Sequence, residues 1–540
     1  MGMSASCSDG GKCAASGQMP VDVEDVEANA RHAEKASVSN SSSTSSPSSS
    51  GENQSTDVSA SPSTKLQVLH VDEEAVRAIP LHVSLQGFGW LWRTSPVDMD
   101  PTLRSQLWSL SKPSEGFNVF LSHTWNSPGK WKYLSLLLYS SWPVVLIVWA
   151  LVVLTTFLLC LFDALPMTFE YHGTQTGLPV LSGGPWIMLA GSLATVVSLL
   201  IAPYIPRIRP TRCFLDAVSI NQTDPQLMEQ GIYGLGGFLR LSEELRVMWT
   251  PAHFTRLWCV FELAAFRHAN PTGKVTLAPV FVEGVAVCLL LSFATASALL
   301  WVSMVADMFV DIKIVWPLIA SPAVAAIHMA RKILHNNKKL LHDLETFDAE
   351  AAGCRMEFDR EYIHEAISSW YGSLGAFTEY VRGPLRKELL GSAGRFRLPL
   401  PYLLIVLTAG LNTSLEELLS LCKAGAWANA VSHFLAHTVG LTLSAALSMR
   451  LMIYLSDRFA APGPSLTMDM LRSVNIFLVF NLVSGFGAGM SVVTVREGPW
   501  TAGAWACAMI AISALSFEGV ERLACPEPKD GKQSEAHSAC

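Results

Sequence analysis

Residues 256–266, RLWCVFELAAF, place an indole, a thiol and a carboxylate within one short segment: Trp258, Cys259 and Glu262. In a helix, Trp258 and Glu262, four apart, share a face, while Leu257, Val260, Phe261 and Ala264 make the buried side. A carboxylate fixed in a crevice can stabilise developing positive charge. The competing role for Glu262 is structural, because an acid in the first turns of a helix interacts favourably with the helix dipole. Two other stretches end in groups of similar character: FNVFLSH (117–123) supplies Ser122 and His123 with Trp125 just beyond, and CFLD (213–216) supplies Asp216. His123 is also readable as a strand-end hydrogen bonder, and Asp216 as a carboxylate that caps the following loop by accepting from backbone amides. Farther on, SHFLAH puts His433 and His437 four apart on one face. Such a pair can ligate a metal, but HExxH is absent and no third ligand is evident, which leaves hydrogen bonding in a helix bundle or proton transfer. The eleven cysteines show no CxxC or zinc-type spacing and read as reduced, small apolar residues, Cys7 and Cys13 included. No metal site and no resident cofactor are expected.

Positioning these side chains takes alternating strands and helices. FNVFLSH, CFLD, LRVMW (245–249) and KVTLAPV (274–280) are short apolar, β-rich runs. Helical patterns follow the first three: PGKWKYLSLLLYSS, IYGLGGFLRLSE and RLWCVFELAAFRHA. That alternation implies a parallel, doubly wound sheet covered on both faces. Ligands bind such sheets outside the carboxyl ends of the strands. Ser122, His123, Trp125 and Asp216 therefore gather at one crevice, with Trp258 and Glu262 facing it. Downstream, Ile363, Ile367, Trp370, Leu374, Phe377 and Val381 form one apolar helix face, preceded by Leu340, Leu344, Phe347 and Ala351. Two helices here would cover the sheet and GCRMEF (353–358) offers a short fifth strand; a coiled-coil face is the alternative.

These pieces are not contiguous. Half of the 540 residues are hydrophobic, 15% are charged and the mean hydropathy is +0.32, which points to a membrane protein. A span needs about 20 mostly apolar residues. Candidates run over 141–162, 185–205, 280–305 and 312–330, then 398–416, 427–455, 473–495 and 500–517, giving six to eight spans. The 163–184 loop holds no Lys or Arg, whereas RIRPTR (207–212) and ARKILHNNKK (330–339) are strongly basic. The positive-inside rule then puts 206–279, 331–397, the 456–472 loop and both termini in the cytosol.

The expected architecture is a membrane α-helical bundle plus an α/β domain assembled from three cytosolic segments, 117–140, 206–280 and 331–397. Transmembrane hairpins at 141–205 and 281–330 interrupt that domain, a transmembrane region follows at 398–517, and 518–540 is a tail. A segment at 65–116 precedes the domain, and the Ser-rich head, 1–64, has too little apolar surface to fold. The head opens with a formal M-G-x-x-x-S myristoylation match. In the spans, Gly485 and Gly489 form a GxxxG suited to helix packing, Asp307 and Asp311 sit near an outer end, and Asn412-Thr413-Ser414 is a glycosylation sequon on the outer side. A net charge of −7 without a basic, aromatic cluster argues against a nucleic-acid partner and leaves the lipid bilayer as the first one.

The succession FLSHTW, FLDAVSINQ, a loop closing on GI, an LxxFLxxS helix, a short strand and RLWCVFEL resembles a divergent Toll/interleukin-1 receptor (TIR) domain. The resemblance covers 117–140, 206–280 and 331–390. It implies a flavodoxin-like strand order and a homo-oligomer formed through the domain. In some members it also implies cleavage of the nicotinamide–ribose bond of NAD by a glutamate matched by Glu262, with NAD as substrate. Positive charge then builds on the ribose as nicotinamide departs, and one carboxylate suffices because the leaving group is already cationic. Ser122, His123, Trp125, Asp216 and Trp258 are the expected substrate contacts. The loop TWNSPGK lacks the arginine often present in plant members. Two functions follow as expectations: signalling by self-association, with or without NAD cleavage, and, from a different class, a transporter or channel regulated by the α/β domain.

Overall fold

Among the described residues of the computed structural model the strands are β1 (Arg77–Pro80), β2 (Lys112–Pro113), β3 (Phe117–Ser122), β4 (Phe169–Gly173), β5 (Leu178–Gly183), β6 (Arg212–Phe214), β7 (Ser242–Trp249) and β8 (Lys274–Pro279). The structure describes residues 69–125, 127–173, 178–250, 253–280, 282–305, 312–354, 356–388 and 398–522. The chain divides into two units, Met1–Ala60 and Ser61–Cys540. The first, with Cys7, Cys13 and the myristoylation match, lies outside the described residues, as do Asp307, Asp311 and the tail from 523 on.

Six strands form one sheet in the order β2-β1-β6-β3-β7-β8. β6, β3, β7 and β8 are mutually parallel, as the alternation of strand and helix requires. The sheet is not parallel throughout, which corrects the expectation. β1 pairs antiparallel with β6 through Ile79 and Cys213, and β2 pairs antiparallel with β1. RAIP offers four residues ending in proline, too short a run to signal a strand, and it is placed by its partner rather than by its own pattern. Among the described residues of GCRMEF no strand forms either: Gly353 makes one isolated parallel bridge to Arg256, and a helix begins at Glu357.

The helices used below are α1 (Pro101–Leu110), α2 (Gly129–Leu161), α3 (Trp186–Ile201), α4 (Pro225–Tyr233), α5 (Leu235–Arg240), α6 (Leu257–Ala269), α7 (Val282–Val305), α8 (Ile312–Glu345), α9 (Glu357–Tyr371) and α10 (Leu374–Tyr380). After them come α11 (Leu400–Lys423), α12 (Trp427–Arg458), α13 (Leu466–Glu497) and α14 (Pro499–Arg522). Alternation in β7 sends Leu245, Val247 and Trp249 to one side of the sheet and Met248 to the other. The first side packs on Phe238 of α5, Phe261 and Phe266 of α6 and Ile363 and Ile367 of α9, all buried. The second packs on Leu107 of α1, Trp92 and Leu136 of α2. The apolar face expected around 363–381 is thus spent on the domain core, not on a coiled coil. It is split by Gly372, whose φ of +87° ends α9.

Among the described residues seven helices are long and apolar enough to cross a membrane: α2, α3, α7, α11, α12, α13 and α14. The eighth expected span falls in α8, whose side chains at 312–320 are outside the described set. The helical pattern PGKWKYLSLLLYSS and the first span prove to be one helix, α2, which runs through Pro143 without interruption. Its Leu136 belongs to the sheet core and its Leu138 and Val145 to the bundle core. Where α2, α7 and α11 meet, buried Glu283 accepts from Ser135 Oγ at 3.0 Å and from Tyr402 Oη at 3.3 Å.

Two membrane expectations are corrected. Asn412 is not at the outer surface but buried within α11, where its Oδ1 accepts from Trp149 Nε1 of α2 at 2.8 Å and its Nδ2 reaches Ser192 Oγ of α3 at 3.4 Å. A single buried amide therefore joins three helices. Gly485 and Gly489 do not mediate packing, since a Cβ on either meets nothing within 4 Å. The close approach is at Gly487 between them, whose Cβ would lie 2.0 Å from Ser444 Oγ of α12.

Candidate functional site

Ser122 ends β3 and pairs with Val247 of β7. The chain leaves β3 toward β6 on one side of that pair and leaves β7 toward β8 on the other. A cleft at such a reversal is where open α/β sheets bind ligands. Three loops and the start of α6 converge there. Ser122 Oγ lies 3.3 Å from His253 Nε2, and the Glu262 carboxyl stands beside the Ser122 hydroxyl. His123 stands edge-on between the indoles of Trp92 and Trp125, with centroids 5.4 and 4.7 Å away. Trp125 Nε1 donates to Asp216 Oδ2 at 2.9 Å, and Asp216 Oδ1 accepts from the Ala217 amide at 2.7 Å. Asp216 therefore caps its own loop and orients the indole at once. Lys132 Nζ donates to the Thr124 carbonyl at 3.1 Å and lies 4.9 Å from the Trp125 ring centroid.

The structure thus gathers Ser122, His123, Trp125, Asp216 and Glu262. Trp258 is engaged elsewhere: its Nε1 donates to Asp359 Oδ2 of α9 at 3.2 Å and its ring packs edge-on against Phe261. Sequence reasoning passed over His253, Thr250 and Arg256. The signal was available, because TPAHFTR follows LRVMW directly and so occupies the same strand-end position that selected Ser122 and Asp216.

Burial governs the electrostatics. Ser122 and His253 are each 1% exposed and His123 is 9% exposed. Desolvation pushes the Glu262 carboxyl up to about 8, with the Asp216 charge adding and the Ser122 hydrogen bond and Arg256 opposing. It lowers His123 to about 4, against the pull of Asp216, and His253 to about 3. All three are consequently neutral near pH 7, so the 4.0 Å approach of His123 Nε2 to Asp216 Oδ1 is not an ion pair. Burial also holds the Cys259 thiol well above its ordinary range, so it is no nucleophile. Glu262 Oε2, His123 Nε2, His253 Nδ1 and Thr250 Oγ1 are sealed from solvent without a hydrogen-bond partner. Unsatisfied buried polar atoms are costly, and a cluster of them with displaced pKa values makes this a candidate site.

In the bundle, His433 and His437 stack with centroids 4.6 Å apart, and a third ionisable group does stand beside them: Glu417 Oε2 lies 3.8 Å from His433 Nδ1. The expected span stopped at 416, one residue short of it, whereas α11 continues to Lys423.

In comparisons with protein-family models, curated proteins and solved structures, nothing matches this chain. Its fold and helices define a multi-pass membrane protein carrying a mixed α/β domain.

Proposed function

We propose that the protein is a signalling protein whose α/β domain is TIR-like, faces the cytosol, self-associates, and cleaves the nicotinamide–ribose bond of NAD. The parallel strands β6-β3-β7-β8 support a flavodoxin-like order, with the first parallel strand between the second and third. The observation that carries the reading is the convergence of Glu262, from the helix after β7, on Ser122 at the carboxyl end of β3, with Oε2 left unpaired.

A protonated carboxyl in an empty apolar site becomes a carboxylate when a cation is placed beside it. The pyridinium of NAD is such a cation. As the glycosidic bond breaks, its electron pair goes to the ring nitrogen, nicotinamide leaves neutral, and the positive charge passes to the ribose, where the Glu262 carboxylate stabilises it. Water then adds to the ribose carbon and releases a proton, giving ADP-ribose. Ser122 holds the carboxyl in place, and the Trp125 indole, oriented by Asp216, offers a flat surface for the departing ring.

The test is nicotinamide release by the purified full-length protein. Wild type releases it, and Glu262→Ala and Glu262→Gln lower the rate at least about 100-fold. No release from a folded, oligomeric wild-type preparation removes the enzymatic part and leaves self-association alone.

A further inference from the structure

Helices α7, α11, α12 and α13 line a half-open cavity of about 470 Å³. That volume is in the range of pockets that bury small organic ligands. Its lining combines apolar side chains, among them Phe293, Leu407 and Phe480, with the ionisable Glu417, His433 and His437. Ionisable groups inside a bilayer are costly and mark functional positions. Here they face a space large enough for a molecule rather than one another alone.

Several polar atoms around the cavity lack a protein partner. His433, 1% exposed, engages the Ser414 carbonyl through Nε2 at 2.9 Å, but its Nδ1 has no hydrogen bond, and neither do His437 Nδ1, Thr413 Oγ1 and Ser484 Oγ. The backbone is adapted at the same place, because α12 is π-helical over Phe434–Leu441, the stretch that carries His437. Single π turns within helices recur at functional sites. Among the described residues no Lys or Arg lines the cavity. The one formal anion among its lining residues is Glu417, so the electrostatics select a cation. Among the described residues the His and Glu side chains do not form a cluster fit to hold a metal ion.

We infer that this cavity binds a small organic cation, a protonated amine carrying an apolar body. The ammonium pairs with the Glu417 carboxylate and donates to an open imidazole nitrogen, and the body lies against Phe293 and Phe480. This site is independent of the NAD chemistry assigned to the α/β domain.

Equilibrium dialysis of radiolabelled tryptamine against the detergent-purified full-length protein tests it. Saturable binding is expected that unlabelled tryptamine displaces and tryptophol, its uncharged alcohol analogue, does not. Glu417→Gln weakens binding at least about tenfold, Ala488→Trp abolishes it by filling the cavity, and Glu262→Ala leaves it unchanged. Equal competition by tryptophol, which identifies an apolar cavity filled by lipid, overturns the proposal; so does absence of saturable binding, or wild-type affinity in Glu417→Gln. Where Glu417→Gln does not fold, the amine and alcohol pair on wild type together with Ala488→Trp decides the matter. Absence of nicotinamide release by the wild-type protein, with tryptamine binding intact, would remove the NAD reading alone.

Discussion

Glu262 couples folding to pH in the direction opposite to most acids. Its carboxyl titrates near 4.5 in an open chain and about 8 in the folded protein. Between those values the folded state keeps a proton that the unfolded state has released, so stability falls as the pH rises from about 5 to 8. His123, lowered from 6.5 to about 4, acts in the other sense, contributing stability above 6.5 that is lost as the pH drops toward 4. Glu262→Gln removes the first effect. Its melting temperature relative to wild type should climb by about a few degrees between pH 5 and pH 8, read by tryptophan fluorescence, and a difference independent of pH would refute a buried, protonated Glu262. That Ser122 and Asp216 lie at one edge of the sheet was legible because parallel strands bring their carboxyl ends to the same side. Trp258 was not: helical spacing puts it on a face with Glu262 but cannot say that α9 will meet that face first and occupy the indole with Asp359. His253 was missed through neglect of a loop, and Glu417 because hydropathy alone ends a span where the first acids appear.

Elements were legible wherever a pattern was long. The four parallel strands and the helices between them follow from alternating periodicities, while β1 and β2 became visible only with their partners in place, since pairing, not propensity, makes them strands. Small-residue spacing misled in α13 for a related reason: GxxxG gives a period but not a facing direction, and the contact falls on Gly487. The tightest approach to backbone is at the start of α2, where a Cβ on Gly129 would lie 1.9 Å from the Trp92 carbonyl oxygen. Backbone on both sides leaves little room to yield. Gly129→Ala should destabilise by about 1–3 kcal/mol or more, whereas Gly485→Ala, with open space at the same atom, should be neutral within about 0.5 kcal/mol. Denaturation of the two variants in the same detergent compares them directly. Equal losses would mean that α2 does not seat against the Trp92 segment.

On the scale of the molecule, the basic loops between spans predict an orientation across the bilayer, and they give a test of it that needs no activity. Cysteines introduced at exposed Glu170, in β4, and exposed Glu229, in α4, should react with a membrane-impermeant maleimide from opposite sides of sealed vesicles. Labelling of both from one side would place the hairpin 163–184 with the α/β domain and end the proposed orientation. What hydropathy did not reveal is that sheet and bundle share α2, because a continuous helix looks the same in sequence whether it serves one core or two. That sharing has a consequence for how the protein is made. β3 emerges from the ribosome ahead of α2 and α3, and its neighbours β6 and β7 come only afterwards. The middle of the sheet must therefore wait, with unpaired edges, until the translocation machinery has released the first hairpin into lipid. A lesion that delays this release leaves the nascent strand exposed to chaperones and proteases, so the aqueous half of the protein matures only as a dependent of membrane integration.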